Sequence, residues 1–263
     1  MAETDKMLSR KEGHVGYVIF NNPERHNAVS LEMWSATAEI LAGFAKDNDV
    51  RVVVVTGAGG KAFVSGADIS KFEKERSSKE AIDRYNVIVD RAYGSIADFP
   101  KPTIAMIRGY CIGGGLGLAV CCDIRICTEN SRFGVPAAKL GLGYGFNGIK
   151  RLADIVGPSF TKEIFFTARQ FSAAEVAGMG LVNRVVPDAE LETYVKGYAD
   201  TISGNAPLTV NSVKFITGEV FKDESKRDLK KCADLVSGCF ASKDYTEGRT
   251  AFMEKRKPVF TGT

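Results

Sequence analysis

Residues 109–120 read GYCIGGGLGLAV, in which three consecutive glycines lead into an apolar stretch. Glycine is among the weakest helix formers, yet residues 116–122 have the composition of a short buried helix. Glycine lets a ligand approach the backbone closely, and the first N–H groups of a helix have no partner within it. The stretch therefore predicts a ligand-binding turn before a buried helix, and the fourth glycine, Gly117, needs an explanation of its own.

The sequence on either side of this stretch alternates strand-like and helical patterns. Apolar runs typical of buried strands occupy residues 15–20, 51–55, 103–107 and 123–128. Helices are predicted over residues 31–45, after a capping Ser30, and over residues 78–97. Such an alternation favours an α/β fold whose sheets are covered by helices.

The second half of the chain becomes mostly helical. Ser172 and Glu175 form a capping box that predicts a short helix, and residues 181–186 have the pattern of a strand. Pro207 lies near the start of a later helix, and residues 244–257 are the last helical segment. Since no low-complexity linker separates the halves, we expect an α/β core over residues 1–200 and a helical C-terminal region over 201–263.

Composition and charge exclude several classes of protein. The net charge of +3 comes without a long basic block, so no nucleic-acid partner is expected. The N-terminus has no secretory or transit signal, and the apolar run near 111–122 is too short to span a bilayer. The six cysteines form no CxxC pair, and with only two histidines zinc-ligand spacing is absent. A cytoplasmic protein with reduced cysteines, no metal and no membrane contact is expected.

The residues around the glycine-rich segments argue against nucleotide binding and against a nucleophilic serine. VVVVTGAGG (52–60) leads from a strand into glycines, but the Rossmann fingerprint requires a helix to follow, and AFVSGAD follows instead. No Walker A sequence is present. Ser65 lacks the G-x-S-x-G frame of a nucleophilic serine, and both histidines lie near the N-terminus.

Two other glycine turns are candidates for a binding site, and each directly follows a predicted strand. The first is Ser65-Gly66-Ala67-Asp68 and the second is Ile112-Gly113-Gly114-Gly115. Each could be no more than a tight connection. If their backbone N–H groups converge on one point, however, they form an oxyanion hole.

At these residues the sequence resembles the crotonase, or enoyl-CoA hydratase/isomerase, superfamily. The matching segments stand in order over nearly the whole chain. They are FNNPERHNAVS (20–30), KAFVSGADIS (61–70), GYCIGGGLGLAVCCDIRI (109–126), RFGVPAAKLGL (132–142), FSAAEVAGMGLVNRVVP (171–187) and DYTEGRTAFMEKRKP (244–258). One of these would be weak evidence, but six in register are specific.

The resemblance implies a spiral of β-β-α units with a helical trimerisation region, assembled as a homotrimer or a dimer of trimers. It implies an acyl-CoA thioester as substrate, with coenzyme A as part of the substrate and no separate cofactor. The thioester oxygen would be held by the backbone N–H groups of Ala67 and Gly114 while an enolate develops.

The same resemblance assigns the residues that contact the substrate. Gly66, Asp68, Ile69 and Gly113 would surround the hole, and the adenine end would lie by the turn of His26, Asn27 and Ala28. Phe252 and Lys255 match positions that contact the coenzyme A of a neighbouring subunit, which gives the basic run at 254–257 a phosphate to bind. The acyl pocket would be lined by the helix near 71–97 and by residues around 140–150.

Two positions depart from the family pattern. Hydratases of this family use two glutamates as general acid and base, one in G-G-G-x-E and one in F-G-x-P-E. This chain has Gly117 and Ala137 there. Asp123 and Glu129 are the only acidic residues in 109–150, and we expect both to lie outside the reaction centre. The site should therefore stabilise an enolate yet hydrate enoyl thioesters poorly.

Three functions remain open on these observations. The first is a lyase or isomerase on an unusual acyl-CoA, with an acid or hydroxyl recruited from elsewhere, Tyr144 first. The second is decarboxylation of a carboxyl-bearing thioester, because residues 138–149 resemble methylmalonyl-CoA decarboxylases, including an active-site tyrosine at Tyr144; those enzymes, however, have a histidine in place of Ala67. The third is binding of acyl-CoA without turnover. Tyr144 could equally be only an aromatic residue of the pocket wall.

Overall fold

The computed structural model of the chain describes residues 4–71, 75 and 77–263. Ten strands are found in this part of the chain. They are β1 (Met7–Glu12), β2 (Val15–Phe20), β3 (Val52–Gly57), β4 (Ala62–Val64), β5 (Thr103–Ile107), β6 (Tyr110–Ile112), β7 (Ile124–Thr128), β8 (Arg132–Gly134), β9 (Phe171–Ser172) and β10 (Arg184–Val186).

The strands form two sheets that the chain visits in turn. One sheet has the order β1-β2-β3-β5-β7-β10, parallel except for the β1–β2 hairpin, and the other has the order β4-β6-β8-β9. Each of the pairs β3–β4, β5–β6 and β7–β8 adds one strand to each sheet before the chain turns into helical structure. This is the spiral of β-β-α units expected from the resemblance, and it confirms the predicted α/β class.

Helices cover both sheets and form most of the C-terminal region. They are α1 (Leu31–Lys46), α2 (Lys79–Ala97), α3 (Gly114–Ala119), α4 (Phe146–Thr167), α5 (Ala173–Gly178), α6 (Leu191–Gly204), α7 (Pro207–Val220), α8 (Leu229–Ala241) and α9 (Lys243–Met253). No helix in the described part of the chain is long and apolar enough to cross a membrane.

Four of the nine named helices begin with a side-chain capping bond. Ser78 Oγ accepts a hydrogen bond from Ala81 N at 3.2 Å, and Ser172 and Glu175 form the predicted capping box. Ser30 precedes α1 as predicted, but its hydroxyl makes no capping bond and is buried without a partner among the described residues. The expectation that its side chain caps α1 is therefore wrong.

Three predicted boundaries also move. The buried helix of the glycine tract begins at Gly114 and ends at Ala119, earlier than the predicted 116–122. The last helix ends at Met253, so Lys255 lies beyond it with a φ of 52°. The strand predicted at 181–186 is confined to Arg184–Val186.

Strand β3 shows how the apolar runs are used. Val53 and Val55 belong to a core that fills the space between the sheets and α1–α5, while Val52 and Val54 belong to a second core between the six-stranded sheet and α6. All four side chains are fully buried. A continuous apolar run is what a parallel strand covered on both faces requires.

Candidate active site

A cavity of about 360 Å³ lies where the two glycine turns meet. Its walls are formed by the turn after β4, helix α2, the first turn of α3, residues 135–148 and the start of α4. Helix α2 and the loop before α4 are the segments expected to surround the acyl group. The cavity thus lies beside the two turns that were predicted to form an oxyanion hole.

Both turns depend on glycine backbone geometry. Gly66 has a φ of 109° and Gly113 a φ of 55°, values that residues with a Cβ rarely adopt. A Cβ on Gly66 would lie 3.2 Å from Ile112 O and 3.7 Å from Gly114 N. The glycines therefore allow the two loops to pack backbone against backbone.

Ala67 and Gly114 both line this cavity. Val29 holds the first loop, because its N–H donates to Gly66 O at 2.8 Å and its carbonyl accepts from Asp68 N at 2.9 Å. Ala67 N lies between these bonds and has no acceptor among the described residues, and neither has Gly114 N at the first position of α3. Two unpaired donors at one cavity are the arrangement that an oxyanion hole needs.

Asp68 supports the first loop from behind. Its carboxylate accepts hydrogen bonds from Ser70 Oγ at 2.6 Å and from the Arg25 guanidinium at 3.2 Å. Burial alone would raise the pKa of Asp68, but these bonds and the positive charge of Arg25 outweigh it and hold the pKa below its ordinary value. Asp68 does not border the cavity, whereas Ile69 does. A direct contact between Asp68 and substrate is therefore not what the structure shows.

Positions 117 and 137 both border the cavity, as the resemblance implies for the two missing acids. Among the described residues that line it, Asp90 is the single acid, and it is exposed on α2. Asp123 lies elsewhere, where it accepts hydrogen bonds from Thr103 N and Lys214 Nζ at 2.7 Å each. Glu129 is exposed in a turn.

Tyr93 is a cavity residue that the sequence reasoning missed. Its hydroxyl donates to Gly114 O at 3.0 Å, and its ring meets Trp34 edge-on with centroids 5.2 Å apart. Burial raises the pKa of Tyr93 well above its ordinary value, so the hydroxyl is protonated at neutral pH. It was missed because α2 is read from sequence only as a polar helix without a motif.

Tyr144 and Arg151 border the same cavity from the side of α4. The Tyr144 ring meets Phe165 edge-on with centroids 5.0 Å apart. Arg151 is partly buried and makes no hydrogen bond or ion pair with the described residues, whereas its neighbour Lys150 pairs with Asp154 at 2.6 Å. The cavity is thus lined by a cation that has no ionic partner within residues 4–71, 75 and 77–263.

The turn predicted to hold the adenine lies outside this cavity. Asn27 has no accessible surface, and its side-chain amide donates to the carbonyls of Ala58 and Ala62 at 2.9 and 2.8 Å. Asn27 therefore holds the turn and does not contact a ligand, which corrects that expectation.

His26 is exposed and Ala28 half-buried on the same turn. His26 meets Tyr110 edge-on at 5.8 Å between ring centroids and borders a separate groove that also contains Lys61 and Arg132. An aromatic pair beside two cations suits the adenine and phosphates of a nucleotide. The contact of His26 and Ala28 with adenine stays a prediction.

Phe252 and Lys255 are remote from the cavity of their own chain. The Phe252 side chain is 83% exposed, and neither residue borders the cavity. Arg256 in the same basic run is paired with Glu247 and Glu254, each at 2.6 Å. This placement is compatible with a contact to a neighbouring subunit, which stays a prediction.

The cysteines and the possible metal ligands were also located in the structure. All six cysteines are free, and Cys111, Cys121, Cys122 and Cys127 are buried. Within the described residues no group of three or more His, Cys, Asp or Glu side chains could hold a metal ion.

Comparison with known proteins relates the whole chain to one family. The sequence profile of the enoyl-CoA hydratase/isomerase family matches residues 10–263. The chain is 35% identical to a short-chain-enoyl-CoA hydratase of Clostridium acetobutylicum over 97% of both proteins. It is also 35% identical to a crotonyl-CoA hydratase of Syntrophomonas wolfei over 97% of this chain and 98% of that protein.

Solved structures show the same relation. An enoyl-CoA hydratase/carnithine racemase of Magnetospirillum magneticum superposes with a TM-score of 0.92 at 35% identity, covering 99% of this chain and 97% of the other. An enoyl-CoA hydratase of Bacillus anthracis gives 0.92 at 31% identity, covering 98% of this chain and all of the other.

Proposed function

The chain belongs to the enoyl-CoA hydratase/isomerase family, and from that premise we propose that it converts a coenzyme A thioester through an enolate held by Ala67 and Gly114. Family membership supports an enzyme acting on acyl-CoA. The proposal adds that its reaction is not ordinary hydration. One observation supports both parts: the cavity is lined by Ala67 and Gly114, whose N–H groups have no acceptor among the described residues, and by Gly117 and Ala137 at the places of the hydratase acids.

The absence of both acids is expected to lower the hydration rate so far that another reaction is favoured. A positioned general acid or base contributes roughly 10²–10⁴-fold to a rate, so the absence of two costs on the order of 10⁴–10⁸ if nothing replaces them. An oxyanion donor contributes about 3–4 kcal/mol to stabilisation of the transition state, and this contribution remains. Hydration needs both acids, whereas a reaction that forms its enolate without a carboxylate base loses less.

The groups that remain can serve a reaction with a lower demand for proton transfer. Tyr144 has a hydroxyl at the cavity and is the first candidate for a catalytic side chain. The coenzyme A would be bound by the cavity and by the groove at His26, with Phe252 and Lys255 contributed by a neighbouring subunit. This arrangement requires an oligomer, for which we propose a homotrimer or a dimer of trimers.

Decarboxylation of a carboxyl-bearing thioester is the second candidate, and Arg151 favours it. Loss of CO₂ leaves its electron pair on the α-carbon and generates the enolate without a carboxylate base. The guanidinium of Arg151, which has no ionic partner in the described part of the chain, would attract an anionic acyl group. The absence of acids at 117 and 137 removes the repulsion that such a group would meet.

One comparison of two activities tests the proposal. Crotonyl-CoA hydration is followed by loss of the enoyl absorbance, and methylmalonyl-CoA decarboxylation by release of CO₂. We expect hydration to be slow and an enolate-forming activity to dominate. In the decarboxylase case Tyr144→Phe and Arg151→Met both lower CO₂ release, whereas Lys150→Met, at a paired residue outside the cavity, is the matched control.

The possible results separate the alternatives. Hydration at the rate of an ordinary hydratase contradicts the claim that Gly117 and Ala137 change the reaction. Tight binding of several acyl-CoA thioesters without turnover of any indicates a binding protein that kept the hole and lost the acids. Turnover that is unaffected by Tyr144→Phe leaves Tyr144 as a residue of the pocket wall.

A further inference from the structure

The Tyr93 hydroxyl occupies the place where a side chain at position 117 would begin. A Cβ built on Gly117 would lie 2.8 Å from Tyr93 Oη and 3.1 Å from Cζ of the same ring. Cβ atoms in proteins essentially never come so close to another group, so a side chain at 117 and this tyrosine position exclude each other. The glycine is therefore matched to the tyrosine and is more than the loss of an acid.

The same hydroxyl faces the oxyanion hole. A Cβ built on Gly114 would lie 3.3 Å from Tyr93 Oη and 3.7 Å from Ala67 N. Tyr93 Oη and Ala67 N are thus both within 4 Å of one point beside Gly114. A thioester oxygen seated on the two N–H groups, and the α-carbon next to it, would lie within reach of this hydroxyl.

The hydroxyl is equipped to donate and not to accept a proton. Burial raises the pKa of Tyr93 well above its ordinary value, although the positive charge of Arg151 acts in the opposite direction. Its proton is directed at Gly114 O in this structure, at 3.0 Å. Rotation about the bond between Cζ and Oη presents the proton to the cavity when a stronger acceptor arrives there.

We propose that Tyr93 is a catalytic residue of this chain, a neutral third hydrogen-bond donor to the enolate, standing where the family places an acid. The proposal rests on the enolate-forming function proposed above and deepens it. A neutral donor stabilises a negative charge without repelling it, whereas a carboxylate at the same point would oppose the enolate. The expected substrates are therefore thioesters whose reaction passes through a long-lived enolate.

Acetoacetyl-CoA tests this inference without knowledge of the natural reaction, because its α-carbon ionises to an enolate that absorbs in the ultraviolet. The full-length protein is titrated with acetoacetyl-CoA over a range of pH, and the apparent pKa of the bound ligand is read from the absorbance. Tyr93→Phe removes the hydroxyl alone and should raise this pKa by about one unit or more, a tenfold or greater loss of enolate stabilisation.

Three further measurements make the result specific. Affinity for butyryl-CoA, which forms no enolate at these pH values, should change by less than about twofold in Tyr93→Phe. Gly117→Ala, which displaces the hydroxyl without removing it, should raise the ligand pKa in the same direction. Tyr198→Phe, on α6 and outside the cavity, is the matched control for loss of a phenol hydroxyl.

Each alternative outcome identifies what has failed. An unchanged ligand pKa in Tyr93→Phe overturns the role of Tyr93. An equal loss of butyryl-CoA and enolate affinity also overturns it, because the tyrosine would then only hold the first turn of α3. If the unmodified protein binds acetoacetyl-CoA without stabilising its enolate, the oxyanion hole itself fails, and the proposed function falls together with this inference.

Discussion

At the scale of single residues, the glycine at position 117 is matched to the neighbouring Tyr93 hydroxyl. A glutamate at 117 would meet the Tyr93 hydroxyl at its first carbon, 2.8 Å away. The residue at 117 therefore cannot be changed as if the cavity were empty there. A variant with glutamates at 117 and 137 therefore needs room for the side chain at 117 as well as the two acids.

Restoration of the acids is the prediction that follows. Gly117→Glu with Ala137→Glu alone should gain little crotonyl-CoA hydration, because Tyr93 occupies the space of the new side chain. Adding Tyr93→Ala should raise hydration by roughly 10² or more, the contribution of one positioned acid or base. Loss of crotonyl-CoA absorbance measures the rates, and Tyr93→Ala alone is the control. A pair variant as active as the triple variant would contradict the steric argument.

The two glycine turns that meet at the cavity could be predicted from the sequence, whereas the place of Tyr93 could not. Ala67 and Gly114 belong to glycine motifs with a fixed relation to the backbone, so sequence alone indicates their position. Tyr93 belongs to α2, and which of its faces meets the cavity depends on how α2 packs against α1 and α3. Arg151 on α4 could not be predicted either, because no sequence motif distinguishes it from the other polar side chains of that helix.

At the scale of elements, α3 lies so close to β4 that glycine is required between them. A Cβ on Gly115 would lie 2.0 Å from the carbonyl oxygen of Val64, a backbone atom that cannot move independently. The tract thus has two functions: Gly113 shapes the turn, and Gly115 permits helix and strand to touch.

Two glycine-to-alanine substitutions test this packing against helix propensity. Gly115→Ala should lower the free energy of unfolding by about 1–3 kcal/mol or more, because it overpacks the contact with β4. Gly43→Ala, exposed in α1 with open space around it, should raise that energy by about 0.5–1 kcal/mol. Urea unfolding followed by circular dichroism measures both. A destabilised Gly43→Ala or a neutral Gly115→Ala would refute the account of α3.

Element prediction from the sequence succeeded for long runs and failed for short ones. Strands β2, β3, β5 and β7 lie within a residue or two of the predicted runs, because each buries an apolar run in a parallel sheet. The strands of the four-stranded sheet have only two or three residues each. Such segments have no periodicity of their own, and they form only because the spiral brings them side by side.

At the scale of the whole molecule, α8 presents an apolar face that the single chain does not cover. Leu229, Val236 and Phe240 are 67%, 42% and 62% exposed, and their spacing places them on one side of the helix. A contiguous exposed apolar face is typical of an interface between proteins. The sequence predicted a helical region here but not which of its faces would be open.

Self-association through this face is the corresponding prediction. We expect the protein to have the mass of a trimer or hexamer by light scattering, and Val236→Asp with Phe240→Asp to shift it toward the monomer. Lys230→Ala, at a residue paired with Asp234, should leave the mass unchanged. A monomeric unmodified protein would contradict both the assembly and the role of Phe252 and Lys255 in a neighbouring site.

Alkaline pH provides a further test of the whole fold. Burial raises the pKa of Cys121 and of Cys127 to about 12, from 9.0 in the unfolded chain. Between pH 9 and 12 the unfolded state releases these protons while the native state keeps them, so stability falls as pH rises, by up to about 1.4 kcal/mol per pH unit for each thiol. Cys121→Ala should show a shallower decrease in urea unfolding between pH 9 and 11. An unchanged slope would contradict the burial of this thiol.

The central claim is that this chain has kept the oxyanion hole of its family and lost hydration. The most direct measurement is the rate of crotonyl-CoA hydration, with a family hydratase that contains both glutamates assayed in parallel. We predict a kcat on the order of 10⁴-fold or more below that of the hydratase, with a dissociation constant for butyryl-CoA within about tenfold of its value. Comparable turnover by the two proteins would contradict the claim.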